Sequence, residues 1–223
     1  MKAIKAHITK YYGDIAIVLH EKVSVDIHVD IAVIKPTEER NYYTLVTMGM
    51  GAYRMKVPQK LADIEIERAE LMICLPPDWE LPGNCSACDD SLESSLGSFH
   101  DEKVYWPIRW LNFLAHFPIG NNTWIGYGHT VPNGENAEPF AENTKLGCVL
   151  FIPPIQFDEE ADRCEMPDGG SVVFYQILPI YADEMNYKLE NGVIALMEKF
   201  DKYPTREDIL TLDINRPSVL SEC

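Results

Sequence analysis

The sequence predicts one α+β domain over residues 1–223, with a mixed, mainly antiparallel sheet and two main helices. Three observations carry that prediction. Apolar runs with period-two alternation or many β-branched residues recur along the chain. The early runs are joined by connections of hairpin length, as antiparallel neighbours require. Only two stretches show helical spacing, so the regular βαβ alternation of doubly wound folds is missing. The 223 residues contain no internal repeat, low-complexity tract or linker, and they suffice for one sizeable core.

Residues 15–34 alternate. Val23, Val25, Ile27, Val29, Ile31 and Val33 share one parity, while Ser24, Asp26, His28 and Asp30 share the other. The pattern predicts a half-buried strand with one wet face, and residues 1–41 read as an N-terminal strand region. Tyr42 to Met50 reads as a second strand, halted by Gly49 and Gly51. Arg68 to Leu75 reads as a third, stopped by Pro76 and Pro77. A Gly-, Ser-, Cys- and Asp-rich loop follows, from about Asp78 to Ser98.

Glu102 to Phe117 reads as a helix: Trp106, Trp110, Phe113, Leu114 and Phe117 recur at helical spacing, Pro107 suits a first turn and Pro118 ends it. Such a stripe faces a core more often than a partner. Thr123 to Val131 reads as a short strand. Leu146 to Ile152 and Val172 to Tyr181 read as central strands, separated by an acidic loop from Asp158 to Gly170. Asp183 to Phe200 reads as the second helix, weakened by Gly192, and a last strand is expected around Ile209 to Ile214.

The chain carries 19 Lys and Arg against 35 Asp and Glu, a formal net charge of −16. Hydrophobic residues at 46% and charged residues at 24% lie in the globular range, which excludes global disorder. The acidity argues against nucleic acid and against anionic membranes as partners, since both need a basic surface. It is compatible with a basic protein partner or with simple solubility. Residues 78–103 hold seven acids against Lys103, and residues 158–168 hold six against Arg163, so these segments contribute eleven of the sixteen net charges. Both read as loops, where recognition often sits although solvated acidic loops are common. The N-terminus has no apolar core of a secretory signal, and no run approaches a membrane span, so a cytoplasmic protein is expected.

Motifs for chemistry are few. Cys85-Ser-Ala-Cys88 has the spacing of a zinc half-site or a redox pair. Beyond His100 it finds no fourth ligand nearby, and the βαβ setting of a thioredoxin is missing, so neither metal nor cofactor is expected. Cys74 and Cys148 lie in apolar runs and read as buried free thiols. His129, after Gly126-Tyr-Gly128, has the placement of a general base, with Asp183 or Glu184 as partners; a structural histidine is the plainer reading. No phosphate-binding, hydrolase, metalloprotease or kinase signature occurs.

Six phrases then carry a family likeness. They are Tyr43-Thr-Leu-Val-Thr-Met-Gly-Met50, Arg68-Ala-Glu-Leu-Met-Ile-Cys-Leu-Pro-Pro-Asp-Trp79 and Trp106-Pro-Ile-Arg-Trp-Leu111. Thr123-Trp-Ile-Gly-Tyr-Gly-His-Thr130, Phe174-Tyr-Gln-Ile-Leu-Pro-Ile-Tyr-Ala-Asp-Glu-Met185 and Asp213-Ile-Asn-Arg-Pro-Ser-Val219 complete the set. In this order, over residues 42–219, the chain resembles the Suppressor of fused (SUFU-like) domain family. The resemblance implies an α+β domain that binds protein rather than catalysing a reaction. The animal relatives restrain a transcription factor and carry a second domain. A chain of this size looks like the bacterial branch, whose members are thought to act as immunity proteins against polymorphic toxins. No catalytic residue is implied. A basic toxin as partner would give the acidic loops a role, and the surface expected from the charge pattern is Asp89, Asp90, Glu93, Asp158, Glu159, Glu160 and Asp162, with Trp79, Tyr105, Trp106 and Tyr127 as aromatic anchors.

Overall fold

The computed structural model describes residues 1–24, 26–81, 101–202 and 209–221. A single mixed sheet runs through them. Its strands are β1 (Ile15–Leu19), β2 (Asp30–Ile34), β3 (Tyr43–Met48), β4 (Ala69–Leu75), β5 (Thr130–Pro132), β6 (Cys148–Ile152), β7 (Arg163–Glu165) and β8 (Ser171–Ile180). The order across the sheet is β1-β2-β3-β4-β8-β6-β5, with β7 also paired to β8. Every pairing is antiparallel except β4 with β8.

All seven residues of β4 and all ten of β8 are buried, as expected for strands covered on both faces. Helix α1 (Lys2–Tyr11) lays Ile4 and Ile8 on the face formed by Ala32, Val46, Met72 and Phe174. The long helix α2 (Glu102–Asn121) covers the opposite face, with Trp106, Trp110, Leu111 and Leu114 against Leu45, Leu71, Ile73 and Ile177. Helices α3 (Ala182–Asn191) and α4 (Val193–Phe200) follow β8, and Leu196 and Phe200 close over Cys148, Leu150, Leu178 and Ile180. The α+β class, the mainly antiparallel sheet and the core-facing tryptophans thus match the sequence reading.

Several elements differ. Residues 15–34 form two strands, because Glu21 and Asp30 accept main-chain N–H groups of Val29 and Glu21 and so replace ladder bonds by a connection. Val23, assigned to the buried parity, is 80% exposed there. Helix α1 lies where only strand was expected. Pro107 lies beyond the first turn of α2, and Pro118 lies inside the helix, which continues to Asn122 in the left-handed conformation. Residues 123–129 are irregular apart from a turn at Tyr127–Gly128, where Gly128 has φ +78°, and only Thr130–Pro132 pairs. The helix expected over 183–200 is divided at Gly192, whose φ of +87° ends α3 and starts α4. The tail strand reduces to one bridge between Thr211 and Cys74. The expected loop after Asp78 falls largely on residues 82–100, outside the described residues.

Two buried acids fasten these layers. Glu184, in the first turn of α3, meets Arg216 of the tail through two contacts of 2.6 Å. The same carboxylate accepts the N–H groups of Tyr181 and Val219, while Arg216 also donates to the Pro179 carbonyl. The guanidinium lies over the rings of Tyr181 and Phe200. At the other end of the sheet, Glu70 of β4 accepts from Thr47 Oγ1 at 2.7 Å and from the N–H groups of Gly49 and Gly51. This fixes the tight turn after β3. Gly49 is required in that turn: its φ is +136°, and a Cβ there would lie 2.0 Å from the His28 carbonyl oxygen. Burial pushes the Glu70 carboxyl up to about 7 despite those hydrogen bonds.

Arg216→Ala leaves a charged acid buried without its partner and lowers unfolding stability by about 3–5 kcal/mol in urea denaturation. Arg216→Lys recovers only part of it, because an ammonium cannot match both carboxylate oxygens. For Glu70 the fold favours the protonated acid, so the stability it contributes is fully present below pH 4.5 and is lost as pH rises through about 7. Compared with Glu70→Gln across pH 4–8, the native chain loses about 3 kcal/mol relative to the variant. A pH-independent difference between the two rejects this account.

Candidate functional site

Between β6 and β7 the chain makes a short 3-10 turn, Glu159–Asp162. Its anchor is Ala161, which is fully buried against α1. The Ala161 carbonyl accepts from His7 Nε2 at 2.8 Å and from the Tyr12 hydroxyl at 2.6 Å. Burial holds the His7 imidazole below its ordinary pKa and the Tyr12 phenol well above its own, so both remain neutral donors at neutral pH. The turn therefore presents its acids from a fixed base. Asp158, Glu159 and Glu160 are exposed and Asp162 is half-buried. Among the described residues none of these four takes part in an ion pair. Arg163, the one base of the segment, points elsewhere and donates to Ser171 Oγ and the carbonyls of Glu65 and Ile64.

The other expected members of the surface, Asp89, Asp90 and Glu93, lie outside the described residues, as do Cys85, Cys88 and His100. A second acidic feature was not foreseen. A groove of about 1070 Å³ at one end of the sheet is lined by Glu38, Glu39, Asp78, Glu80 and Asp213, with Arg40 and Lys103 as its cations. Arg40 is drawn inward by the carbonyls of Tyr11 and Tyr12. The groove collects residues from six separated segments, so no local charge run announces it. Of its acids, only Asp78 and Glu80 belong to a segment singled out for its charge.

The aromatic anchors divide. Trp106 is fully buried, which rules it out as a contact residue, since no surface of it remains for a partner. Trp79 is half-buried, with its indole N–H donated to the Val104 carbonyl, and Tyr105 is half-buried. Tyr127 is exposed.

His129 lines a separate hollow of about 700 Å³ with Lys188 and Glu135, walled by Phe113, Phe117 and Trp124. Its ring meets Trp124 edge to face at 4.2 Å. Burial and the nearby Lys188 charge hold the imidazole below its ordinary pKa, and burial lowers Lys188 as well. The acids expected to assist His129 are engaged elsewhere. Glu184 pairs with Arg216, and Asp183 accepts from Ser218 Oγ and the Glu184 N–H. Cys74, Cys148 and Cys164 are free and buried, and burial pushes Cys74 and Cys148 up to about 12, far from a reactive thiolate.

The sheet with helices on both faces is the fold of a SUFU-like α+β domain. A SUFU homolog from Neisseria gonorrhoeae superposes with a TM-score of 0.65 at 20% identity, covering all of this chain and 97% of that one. A chain of the Sufu–Fu complex crystal structure gives 0.64 at 15% identity, covering 98% of this chain and 91% of that one. Drosophila Suppressor of Fused gives 0.62 at 16% identity; this chain covers half its length. In sequence, the uncharacterized protein UU111 of Ureaplasma parvum is 26% identical over 215 residues, 95% of this chain and 91% of that protein. The chain belongs to the Suppressor of fused protein (SUFU) family, which matches residues 26–217. That match begins sixteen residues earlier than the phrases indicated, taking in the end of the β1–β2 connection.

The anchoring of the acidic turn is open to measurement. His7→Ala with Tyr12→Phe removes both donors to Ala161, at a cost of about 1 kcal/mol for each lost hydrogen bond. Hydrogen exchange at the Ala161 amide, which donates to Asp158, accelerates while β4 and β8 stay protected. Unchanged exchange there would show that the turn does not depend on α1.

Proposed function

We propose that this SUFU-family domain is a non-enzymatic, cytoplasmic immunity factor that neutralises a toxin domain of basic charge. The observation that carries the proposal is the fixed acidic turn. Its carboxylates are exposed and unpaired among the described residues, and they stand on a base that needs no reordering when a partner arrives. A family whose solved members include a Sufu–Fu complex fits a protein-interaction role. A net charge of −16 adds long-range attraction for a cationic protein and repels nucleic acid and anionic membranes. No helix among the described residues is long and apolar enough to cross a membrane.

In this reading Asp158, Glu159, Glu160 and Asp162 form one part of the contact surface, and Asp89, Asp90 and Glu93 contribute another. The acids steer encounter, and exposed aromatic surface such as Tyr127 supplies apolar contact area. Steering acts mainly on association rate, because exposed charges are screened once they lie farther apart than about 8–10 Å at physiological salt.

Reversal of Glu159 and Glu160 to Lys slows association with a basic toxin domain by about tenfold at low ionic strength and abolishes protection of toxin-expressing cells. The difference shrinks in high salt, and the thermal midpoint stays within a few degrees, since neither side chain is buried. Equal association rates for both proteins at low salt would remove the turn from the interface.

A further inference from the structure

The β1–β2 connection gathers three histidines and two carboxylates. His20, Glu21 and His28 come from the connection, Asp30 opens β2, and His116 reaches in from α2. Glu21 is nearly buried and is held by the Val29 N–H at 2.9 Å and by His116 Nε2 at 2.9 Å. Burial alone would raise its pKa, but these bonds and the one from Ser24 outweigh that effect and hold the carboxyl below its ordinary range.

The hydrogen bonds around His28 turn its outer nitrogen, Nε2, toward a carboxylate. Ser24 has one hydroxyl proton, and its Oγ lies 2.6 Å from Glu21 Oε2 and 2.8 Å from His28 Nδ1. The proton goes to the carboxylate, the stronger acceptor at the shorter distance. His28 Nδ1 must then carry a hydrogen and donate to Ser24. A neutral imidazole of that tautomer turns a bare lone pair outward at Nε2. That lone pair faces Asp30 Oδ1 at 2.9 Å, acceptor against acceptor. Either a proton on Nε2 or a metal ion between the two atoms satisfies this contact. His20 Nδ1 stands 3.2 Å from the other oxygen of the same carboxylate.

We propose that His20, His28 and Asp30 bind a divalent transition metal of the zinc class through three protein ligands, leaving one position open to an outside ligand. One ligand atom from each residue lies within 4.8 Å of the others. His28 Nε2 lies 2.9 Å from Asp30 Oδ1 and His20 Nδ1 lies 3.2 Å from Asp30 Oδ2, so each imidazole stands about one tetrahedral edge, about 3.3 Å for bonds of about 2.0–2.1 Å, from one oxygen of the shared carboxylate. Two imidazoles and one carboxylate suit zinc better than calcium or magnesium, which take all-oxygen sets. The Glu21–Ser24 relay behind His28 is the outer support that fixes a ligating imidazole in one tautomer. His20 is 72% exposed, so the ligand that completes the set can swing into place without disturbing the core. This site is independent of the acidic turn and of the partner proposed for it.

The test uses the full-length chain, stripped with chelator and carrying Cys85→Ser and Cys88→Ser so that those thiols cannot compete. Zinc chloride is titrated against a competing chelator, and cobalt(II) is followed by its visible absorption. One equivalent of zinc binds, cobalt gives a four-coordinate spectrum without thiolate bands, and zinc raises the thermal midpoint. His20→Ala, a change at an exposed side chain, weakens zinc by about tenfold or more and removes the thermal shift, and Asp30→Asn does the same. No stoichiometric binding, or binding undiminished in His20→Ala, overturns the proposal. So does a His28 imidazole whose nitrogen resonances show both atoms protonated in a protein that binds no zinc, because a proton then fills the gap.

Discussion

The pairing of Glu184 with Arg216 is the constraint on which the C-terminal half rests. One carboxylate, fully buried, organises the start of α3, the end of β8 and the tail. Without the arginine the acid would face an apolar surround made by Tyr181 and Phe200, and without the acid the tail would lose its reason to return beneath α4. Taking two charges out of water is costly, and such a pair often contributes little net stability compared with well-packed apolar side chains. What it does impose is register. A bidentate fork accepts a carboxylate in one orientation, whereas an apolar contact tolerates sliding.

Glu70 plays a matching part in the N-terminal half, with main-chain N–H groups in place of a cation. It closes the turn after β3, that turn brings Gly49 beneath the carbonyl of His28, and His28 stands beside Asp30 at the start of β2. The histidine cluster is thus built on the same turn that a strand-to-strand acid holds in place. On the opposite side of the sheet's edge, α1 holds the acidic turn by two neutral donors. The exposed acids of the turn meet solvent, whereas the buried acids Glu70 and Glu184 are hydrogen-bonded within the fold.

The sheet was legible because its central strands are continuous apolar runs, and α2 because four large residues recur on one stripe. The class and family followed from phrases now seen to hold the structural clamps: Thr47, Gly49 and Glu70 lie in the first two, Glu184 and Arg216 in the last two. The misreadings share a cause. From Val23 to Val33 the alternation is regular, yet Glu21 and Asp30 divert the backbone by side-chain hydrogen bonds that parity does not register. Helix α1 carries only Ile4, Ile8 and a buried His7 on its inner face, too few apolar residues to stand out. The acidic turn was visible as a charge run, but its anchor, Ala161, is chemically silent in sequence. The groove was invisible because it is assembled from residues distant along the chain, and the histidine cluster because the turn that brings His20 back to His28 and Asp30 was read as continuous strand.

The parallel pairing of β4 with β8 joins two halves that are distant in sequence, and it orders the birth of the fold in time. Residues 15–75 form a hairpin succession that can close soon after synthesis, by local contacts. Its inner border, β4, then waits for β8, roughly 100 residues later, or roughly 5–20 s at ordinary rates of translation. During that interval an apolar border strand with free main-chain groups faces the crowded interior of the cell. The one acid in that strand, Glu70, half-neutral near pH 7 once enclosed, is a full charge while it waits. A charge on a border strand disfavours its pairing with a foreign strand.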